Sequence, residues 1–363
     1  MIRPETQRPS GLNTGLTLIA VALLSLTGCA VGPDYQRPDI SLPANYASAA
    51  TTAATGETSI VEKAWWKRFQ DETLNELIAR AQTHNFDLLA AVARVEEAEG
   101  LAREADATFF PQFNLNSSGS RSQVSKVNAV PLSSSVPRLQ DSRKAGLSTS
   151  FELDLWGKLR RADEAARASL LSSRYARDTT ELSVAGLVTS AYLSLRATDA
   201  SQILTRSTLE SRRKSLGIVQ SKFAAGTASP LDVAQAEGSL ATAEAQIAEL
   251  RRQRTLAQNQ LALLTGQPNL GITPGDLRKL PIPPVPPAGL PSSLLEARPD
   301  IRQAEETLIS MNAQIGVAKA ALYPSLSLTG SLGSESAALS NLFKGAAGVW
   351  SLGLAASMPI FDA

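Results

Sequence analysis

Cys29 is the only thiol in a chain of 363 residues, so neither an intrachain disulfide nor a cysteine metal set is available to it. The residues before it point to a different chemistry. Leu26-Thr27-Gly28-Cys29 has the form of a lipobox, in which the chain is cut ahead of the cysteine and its sulfur is acylated. The apolar run from Leu16 to Leu26 holds 11 residues behind Arg3 and Arg8, whereas a spanning helix needs about 20. Residues 1–28 are therefore expected to be a signal peptide, and a covalent lipid on Cys29 the sole prosthetic group.

Other chemistry-bearing residues are sparse. His84 is the only histidine, which removes histidine-based zinc sets and triads, and its surroundings, Ala81-Gln82-Thr83-His84-Asn85, place it at a solvated helix end. We expect no catalytic residues, no metal site and no enzyme activity. Lys plus Arg number 35 and Asp plus Glu 34, so no basic footprint for nucleic acid exists. The acids of interest are those set in a pattern. Glu152 and Asp154 alternate with Phe151, Leu153 and Leu155, and Asp232 closes the sequence Ser229-Pro230-Leu231-Asp232, a capping box.

The elements that carry these acids are organised by an internal repeat. Asp87 and Asp300 each open a helical segment and Pro111 and Pro324 each follow one, both pairs 213 residues apart. Leu88 then matches Ile301, and Ala91, Ala105 and Ala107 match Ala304, Ala318 and Ala320. Past each proline the period changes from helical to alternating. Phe113 and Leu115 alternate with Asn114 and Asn116, as Leu326 and Leu328 do with Ser327 and Thr329. After polar loops, expected at 123–142 and 334–345, each repeat offers a second strand. Leu147, Thr149, Phe151, Leu153 and Leu155 form one face of the first, and Leu352, Leu354, Ala356, Met358 and Ile360 one face of the other. Carboxylates cannot face hydrocarbon, so Glu152 and Asp154 are expected on the wet side, inside a lumen. Four strands are too few to close a barrel alone and could do so only with further subunits; the competing reading of the same alternation is a half-buried hairpin in a soluble sheet.

Beyond Trp156-Gly157 helix formers run to Ala225 without a proline, which predicts a helix of roughly 100 Å. It stops at Gly226, where a left-handed C-cap fits, and restarts with Ser229 as N-cap and Pro230 in the first turn. The return helix extends to about Thr265, giving a long antiparallel hairpin, and 267–291 is a proline-rich connector laid over it.

These motifs resemble those of the TolC/OprM/NodT outer-membrane efflux proteins, from the lipobox to the last residue. Cys29-Ala30-Val31-Gly32-Pro33-Asp34-Tyr35 is similar to the mature start of the lipoprotein branch, and Phe151-Glu152-Leu153-Asp154-Leu155-Trp156-Gly157-Lys158 to its strand-to-helix junction. Lys222-Phe223-Ala224-Ala225-Gly226 through Leu231-Asp232-Val233-Ala234 is similar to the periplasmic hairpin tip, and Ala297-Arg298-Pro299-Asp300-Ile301 to the start of the second repeat. The resemblance implies an α+β membrane protein, with a long α-helical hairpin tunnel domain and four strands given to a trimeric transmembrane β-barrel. It implies a homotrimer in the outer membrane that extends into the periplasm among outer-membrane lipids. The trimer would be a passive conduit working with a periplasmic adaptor and an inner-membrane efflux transporter. Ala30 after the lipobox, where aspartate would favour inner-membrane retention, agrees with that location. Gly226, Thr227 and Ser229 become the adaptor-docking tip, and Asp232 the gate candidate.

The expected divisions are 1–28 signal peptide, 29–86 lipidated segment and short helix, 87–156 first helix and strand pair, 157–266 hairpin, 267–298 connector, and 299–363 second helix and strand pair. The repeat calls for a second hairpin after 363, so the chain is expected to be cut short of it. Two other readings exist. A periplasmic adaptor lipoprotein would carry a single hairpin inside a small β-domain, which the gapless repeat opposes. A type I secretion channel shares the fold, though the lipobox and proline-rich start resemble the efflux branch more closely. Mass spectrometry of the membrane fraction is expected to find Cys29 as an acylated N-terminus, and Cys29→Ala to leave the precursor uncut. A peptide running from Gly28 into an unmodified Cys29 would refute this.

Overall fold

The computed structural model describes residues 30–38, 64–125, 137–283 and 293–361. The signal peptide, Cys29, residues 126–136 of the first strand loop and residues 284–292 of the connector fall outside them. The helices are α1 (Glu72–His84), α2 (Phe86–Ala107), α3 (Lys158–Ala224), α4 (Pro230–Leu264), α5 (Ser293–Ala297) and α6 (Pro299–Ala320). The strands are β1 (Gln112–Gln123), β2 (Leu139–Leu153), β3 (Ser325–Ser336) and β4 (Gly348–Ser357), joined in an antiparallel meander in that order. The repeat shows in the elements themselves. Helices α2 and α6 are each 22 residues and strands β1 and β3 each 12, at the same offset of 213. Among the described residues no helix is long and apolar enough to cross a membrane.

The chain divides into two compact units. The first contains the sheet and the helix segments next to it in sequence. Its helix contacts use small side chains, because only these let backbones approach closely. Ser310, Ala313, Gly316 and Ala320 are buried along α6, and the Ser310 hydroxyl donates to the Ala165 carbonyl at 2.9 Å.

The second unit has the larger hydrophobic core. Leu74, Leu77, Ile78 and Ala81 recur at helical spacing on α1 and pack on Val188, Tyr192 and Leu195 of α3 and Leu261 of α4. Asp71 caps α1 by accepting from the Leu74 N–H at 3.1 Å and also receives the Tyr192 hydroxyl at 2.6 Å. Burial, together with that carboxylate, pushes the Tyr192 phenol up to about 12. His84 ends α1 exposed, its ring against Thr83 and the Arg80 carbonyl.

The described part of the connector lies over this hairpin and is held by buried charge. Asp199, 2% exposed, accepts from Arg254 at 2.6 Å and from the Gly275 N–H at 3.0 Å, and faces Arg196 at 3.7 Å. Those arginines donate onward to the carbonyls of Ile272 (2.8 Å) and Thr273 (2.7 Å), so extended backbone is tied to two helices. Removing the shared acid strands two guanidinium groups. Asp199→Ala is expected to lower the unfolding free energy by about 3–5 kcal/mol in denaturant titrations, and Tyr192→Phe by about 1.5–3 kcal/mol.

Candidate functional site

The sheet presents two faces, and its register sorts every side chain between them. Directly paired residues share a face, so Phe113, Thr149, Gly330 and Leu352 form one row, and Leu115, Leu147, Leu332 and Trp350 the next. Toward the helical end the same face continues through Phe151, Leu328 and Leu354, then Leu153, Leu326 and Ala356. The opposite face carries Asn114, Asn116, Ser148, Ser150, Ser327, Thr329, Ser331 and Ser351. Asn116 donates to Ser148 at 2.7 Å, and Ser331 and Ser351 lie 2.7 Å apart, so hydroxyls and amides pair across strands. Among the described residues little covers the apolar rows: Phe113 is 70% exposed, Leu352 77% and Trp350 74%. A stripe of large apolar side chains this bare marks a surface that contacts a membrane or a partner.

The strands are also longer at one end and shorter at the other than alternation alone predicts. β2 starts at Leu139, inside the expected loop, because its polar first half pairs with β1 out to Gln123. It ends at Leu153, and β4 ends at Ser357, so Leu155, Met358 and Ile360 fall past the strands. Asp154 therefore lies just past the strand rather than within it. Its carboxylate accepts from the backbone N–H groups of Leu159 and Arg160, both at 3.1 Å, and from the Arg160 side chain at 3.2 Å. Three donors hold it on the first turn of α3 as a cap. Glu152 does lie on the hydroxyl face, opposite Ser327, with Lys158 Nζ 3.2 Å from its carboxylate.

A second constellation encloses this junction. Residues 30–38 form a strap, beginning one residue after Cys29. The Val31 N–H donates to the Trp156 carbonyl at 2.9 Å, and Asn312 donates to that of Pro33 at 2.9 Å. Arg161, a buried side chain, donates to Asp34 and, at 2.7 Å, to Glu164. Tyr35 and Arg37 both reach Glu305, at 3.3 and 3.1 Å. Gly157 has φ +77°, and a Cβ there would stand 2.7 Å from the Ala30 Cα, so two constraints demand glycine. Trp156 stacks on Tyr323 at 4.9 Å and donates to the Pro324 carbonyl at 2.8 Å, linking the ends of the two repeats' strands. The strap's clasp leaves no local sequence signal, because its partners lie more than a hundred positions away.

The hairpin tip is built as its residue types require. Gly226, at φ +74°, donates to the Phe223 carbonyl and Thr227 to that of Lys222, both at 2.9 Å, closing a Schellman motif. No atom would lie within 4 Å of a Cβ at Gly226, so the left-handed turn alone accounts for glycine inside this chain. Ser229 and Asp232 form the capping box: the Asp232 N–H donates to the Ser229 hydroxyl at 3.2 Å, and the Ser229 N–H to the Asp232 carboxylate at 2.8 Å. Those bonds hold the Asp232 carboxyl below its ordinary range. Shallow grooves flank the turn, one lined by Lys214, Ile218 and Thr227, the other by Arg212, Val219 and Asp232.

A long helical hairpin joined to a strand meander with one bare apolar face and one hydroxyl face defines an outer-membrane channel subunit. The comparisons agree. The model of the outer membrane efflux protein family matches residues 77–267 and 290–363. The toluene efflux pump outer membrane protein TtgF of Pseudomonas putida is 35% identical over 354 residues, covering 95% of this chain and 73% of the relative. The cation efflux system protein CusC of Escherichia coli is 32% identical over 345 residues, covering 94% and 72%. Among solved structures, the Campylobacter jejuni CmeC outer membrane channel superimposes with a TM-score of 0.81 at 29% identity, covering 92% of this chain and 71% of that one. The outer-membrane channel OprN gives 0.78 at 31%, covering 91% and 73%. The chain belongs to the outer membrane efflux protein family. It is an outer-membrane component of tripartite efflux pumps, a conduit rather than an enzyme, working with a periplasmic adaptor and an inner-membrane transporter.

The tip yields a prediction with a definite sign. Asp232 has a folded pKa below its unfolded one, so its contribution is full above the ordinary carboxylate value and is lost as pH falls through the lowered one. Exchange protection at amides 229–233, corrected for intrinsic rates, is expected to fall over that acid window. Ser229→Ala is expected to destabilise the helix start by about 1 kcal/mol at neutral pH.

Proposed function

We propose that three copies of this chain close one barrel, with the apolar rows toward lipid and the hydroxyl face, with Glu152, toward a water-filled lumen. A lipid on Cys29 would add a second attachment. The observation that carries this reading is the sheet with two exposed faces of opposite character. A soluble protein would cover the apolar face with a helix or second sheet. The unpaired outer edges of β1 and β4 support closure by further copies, because backbone groups cannot stay unsatisfied in hydrocarbon. The strap supports the anchor. It brings Ala30, next to Cys29, against Gly157 at the helical end of the apolar band, where an acyl chain would enter the near leaflet.

At the other end of the hairpin, Gly226, Thr227 and Ser229 are the proposed adaptor-docking surface. The open space around Gly226 leaves room for a partner's backbone. Asp232 remains the gate candidate in addition to its place in the capping box. The transported solutes are proposed to be chosen upstream. Relatives of similar identity carry names for toluene and for cation efflux, and the hydroxyl wall of this barrel, whose few charges are paired, gives no basis for separating the two.

Single cysteines test the two faces in the Cys29-lipidated protein in outer membranes. A water-soluble thiol reagent is expected to label positions 148 and 150 at least tenfold faster than 147 and 151. Equal rates would overturn the barrel reading. Asp232→Asn is expected to change conductance if the residue gates, and to leave it unchanged if it only caps.

A further inference from the structure

Beyond the last full apolar row, at the end of the sheet away from Trp156, the lipid-side face turns cationic. Arg143 and Arg121 share the face of Leu147 and Leu115, four and six residues further along their strands. Arg143 lies about 13 Å along β2 from Leu147, which puts its guanidinium beyond the hydrocarbon and level with headgroups. Trp350 in the last apolar row marks that boundary as interfacial aromatics do.

The charge there is unbalanced. Arg121 and Arg143 both face the same Asp141 oxygen, each at 3.7 Å, longer than a hydrogen bond, and that oxygen has no hydrogen-bond partner. One carboxylate thus stands before two guanidinium groups. On the hydroxyl face of the same tier the balance is one to one, with Lys144 paired to Glu335 at 3.0 Å and Ser142 donating to the same acid. Neighbouring sequence does not supply the missing anion. Between Ser117 and Ala145 there are five cations and a single acid, Asp141, and residues 336–361 contain no acid to bring from β4 of an adjoining copy.

Arg143 is held in place. Its cross-strand partner is Gly119, where a Cβ would stand 3.2 Å from the Arg143 Cδ, so the side chain lies flat across the space a larger residue would fill. From there it donates to the Ser120 and Ser142 carbonyls at 3.1 and 3.2 Å.

We propose that Arg121 and Arg143 form a binding site for the anionic phosphate headgroup of a lipid in the outer leaflet. Guanidinium groups match phosphate oxygens, and this pair sits at headgroup depth with one positive charge in excess. The inference rests on the reading that the apolar rows face lipid.

The test uses the full chain extracted from outer membranes in detergent, titrated with short-chain phosphatidic acid and, separately, phosphatidylcholine, with bound lipid counted by native mass spectrometry. The wild type is expected to prefer phosphatidic acid at least tenfold, and Arg121→Gln with Arg143→Gln to lose most of that preference. Asp141→Asn, which removes the competing carboxylate, is expected to strengthen it, a gain that misfolding cannot imitate. Gly119→Val is expected to weaken it by displacing Arg143. Equal binding of the two lipids by the wild type, or no gain in Asp141→Asn, would overturn the proposal. Complete competition by inorganic phosphate alone would overturn its lipid part. If the thiol-labelling experiment separates the two faces while phosphate preference is absent, this inference fails and the barrel reading stands. If labelling is uniform, both fail.

Discussion

The sheet of this chain answers to the cost of leaving a backbone N–H or C=O unpaired in hydrocarbon, several kcal/mol for each group. Four strands satisfy their inner ladders and leave two outer edges, on β1 and β4, unpaired among the described residues. Both are long, 12 and 10 residues, and apart from Arg121 neither strand holds a charge or a proline to blunt it as on a soluble edge strand. Assembly is therefore part of folding for this sheet. The meander is a portion of a barrel, and the order of its strands matters less than the fact that its first and last lie at opposite ends.

A different constraint governs the helical unit. The connector has no ladder of its own; Leu270 and Ile272 bury it in the core, and buried charge satisfies its backbone. Asp199 accepts from Arg254 and faces Arg196, and all three bond to the connector's backbone, so those polar groups are satisfied without a strand partner. Such a triad contributes little net stability compared with apolar packing, yet it fixes one register between segments that apolar contacts alone would let slide.

Much of this was legible in the sequence because it is periodic or local. The repeat offset, the long uninterrupted helix, the Gly226 turn with its Ser229 cap, and the alternation of Phe113, Leu115 and Leu326, Leu328 all depend on neighbours within a few residues. What escaped depends on distant partners or on pairing that overrides composition. Residues 139–142 have no apolar alternation and read as loop, but continuation of the β1 ladder carries them into a strand. Asp154 continues the even-numbered polar series of β2, and the strand stops one residue short of it so that the acid can cap α3. Asp34 meets Arg161 across 127 residues, and Asp199 meets Arg254 across 55, separations at which spacing carries no signal.

The placement of charge then separates conduction from selection. Along the hydroxyl face ionised groups occur only near the ends of the strands, and each is neutralised by a partner, Glu152 by Lys158 and Glu335 by Lys144. Between them the face offers mainly Ser, Thr, Asn and Gly, groups that exchange hydrogen bonds with water or solute at little net gain. With that face toward the lumen, as proposed, a solute would meet neither a deep well that would hold it nor a charged barrier that would turn it back, and conduction needs binding weak enough to release. Direction and choice must then be imposed where energy is supplied, upstream of this channel. The chain's strongest polar arrangements accordingly lie in its joints, at the strap, the connector and the tip, rather than along the path.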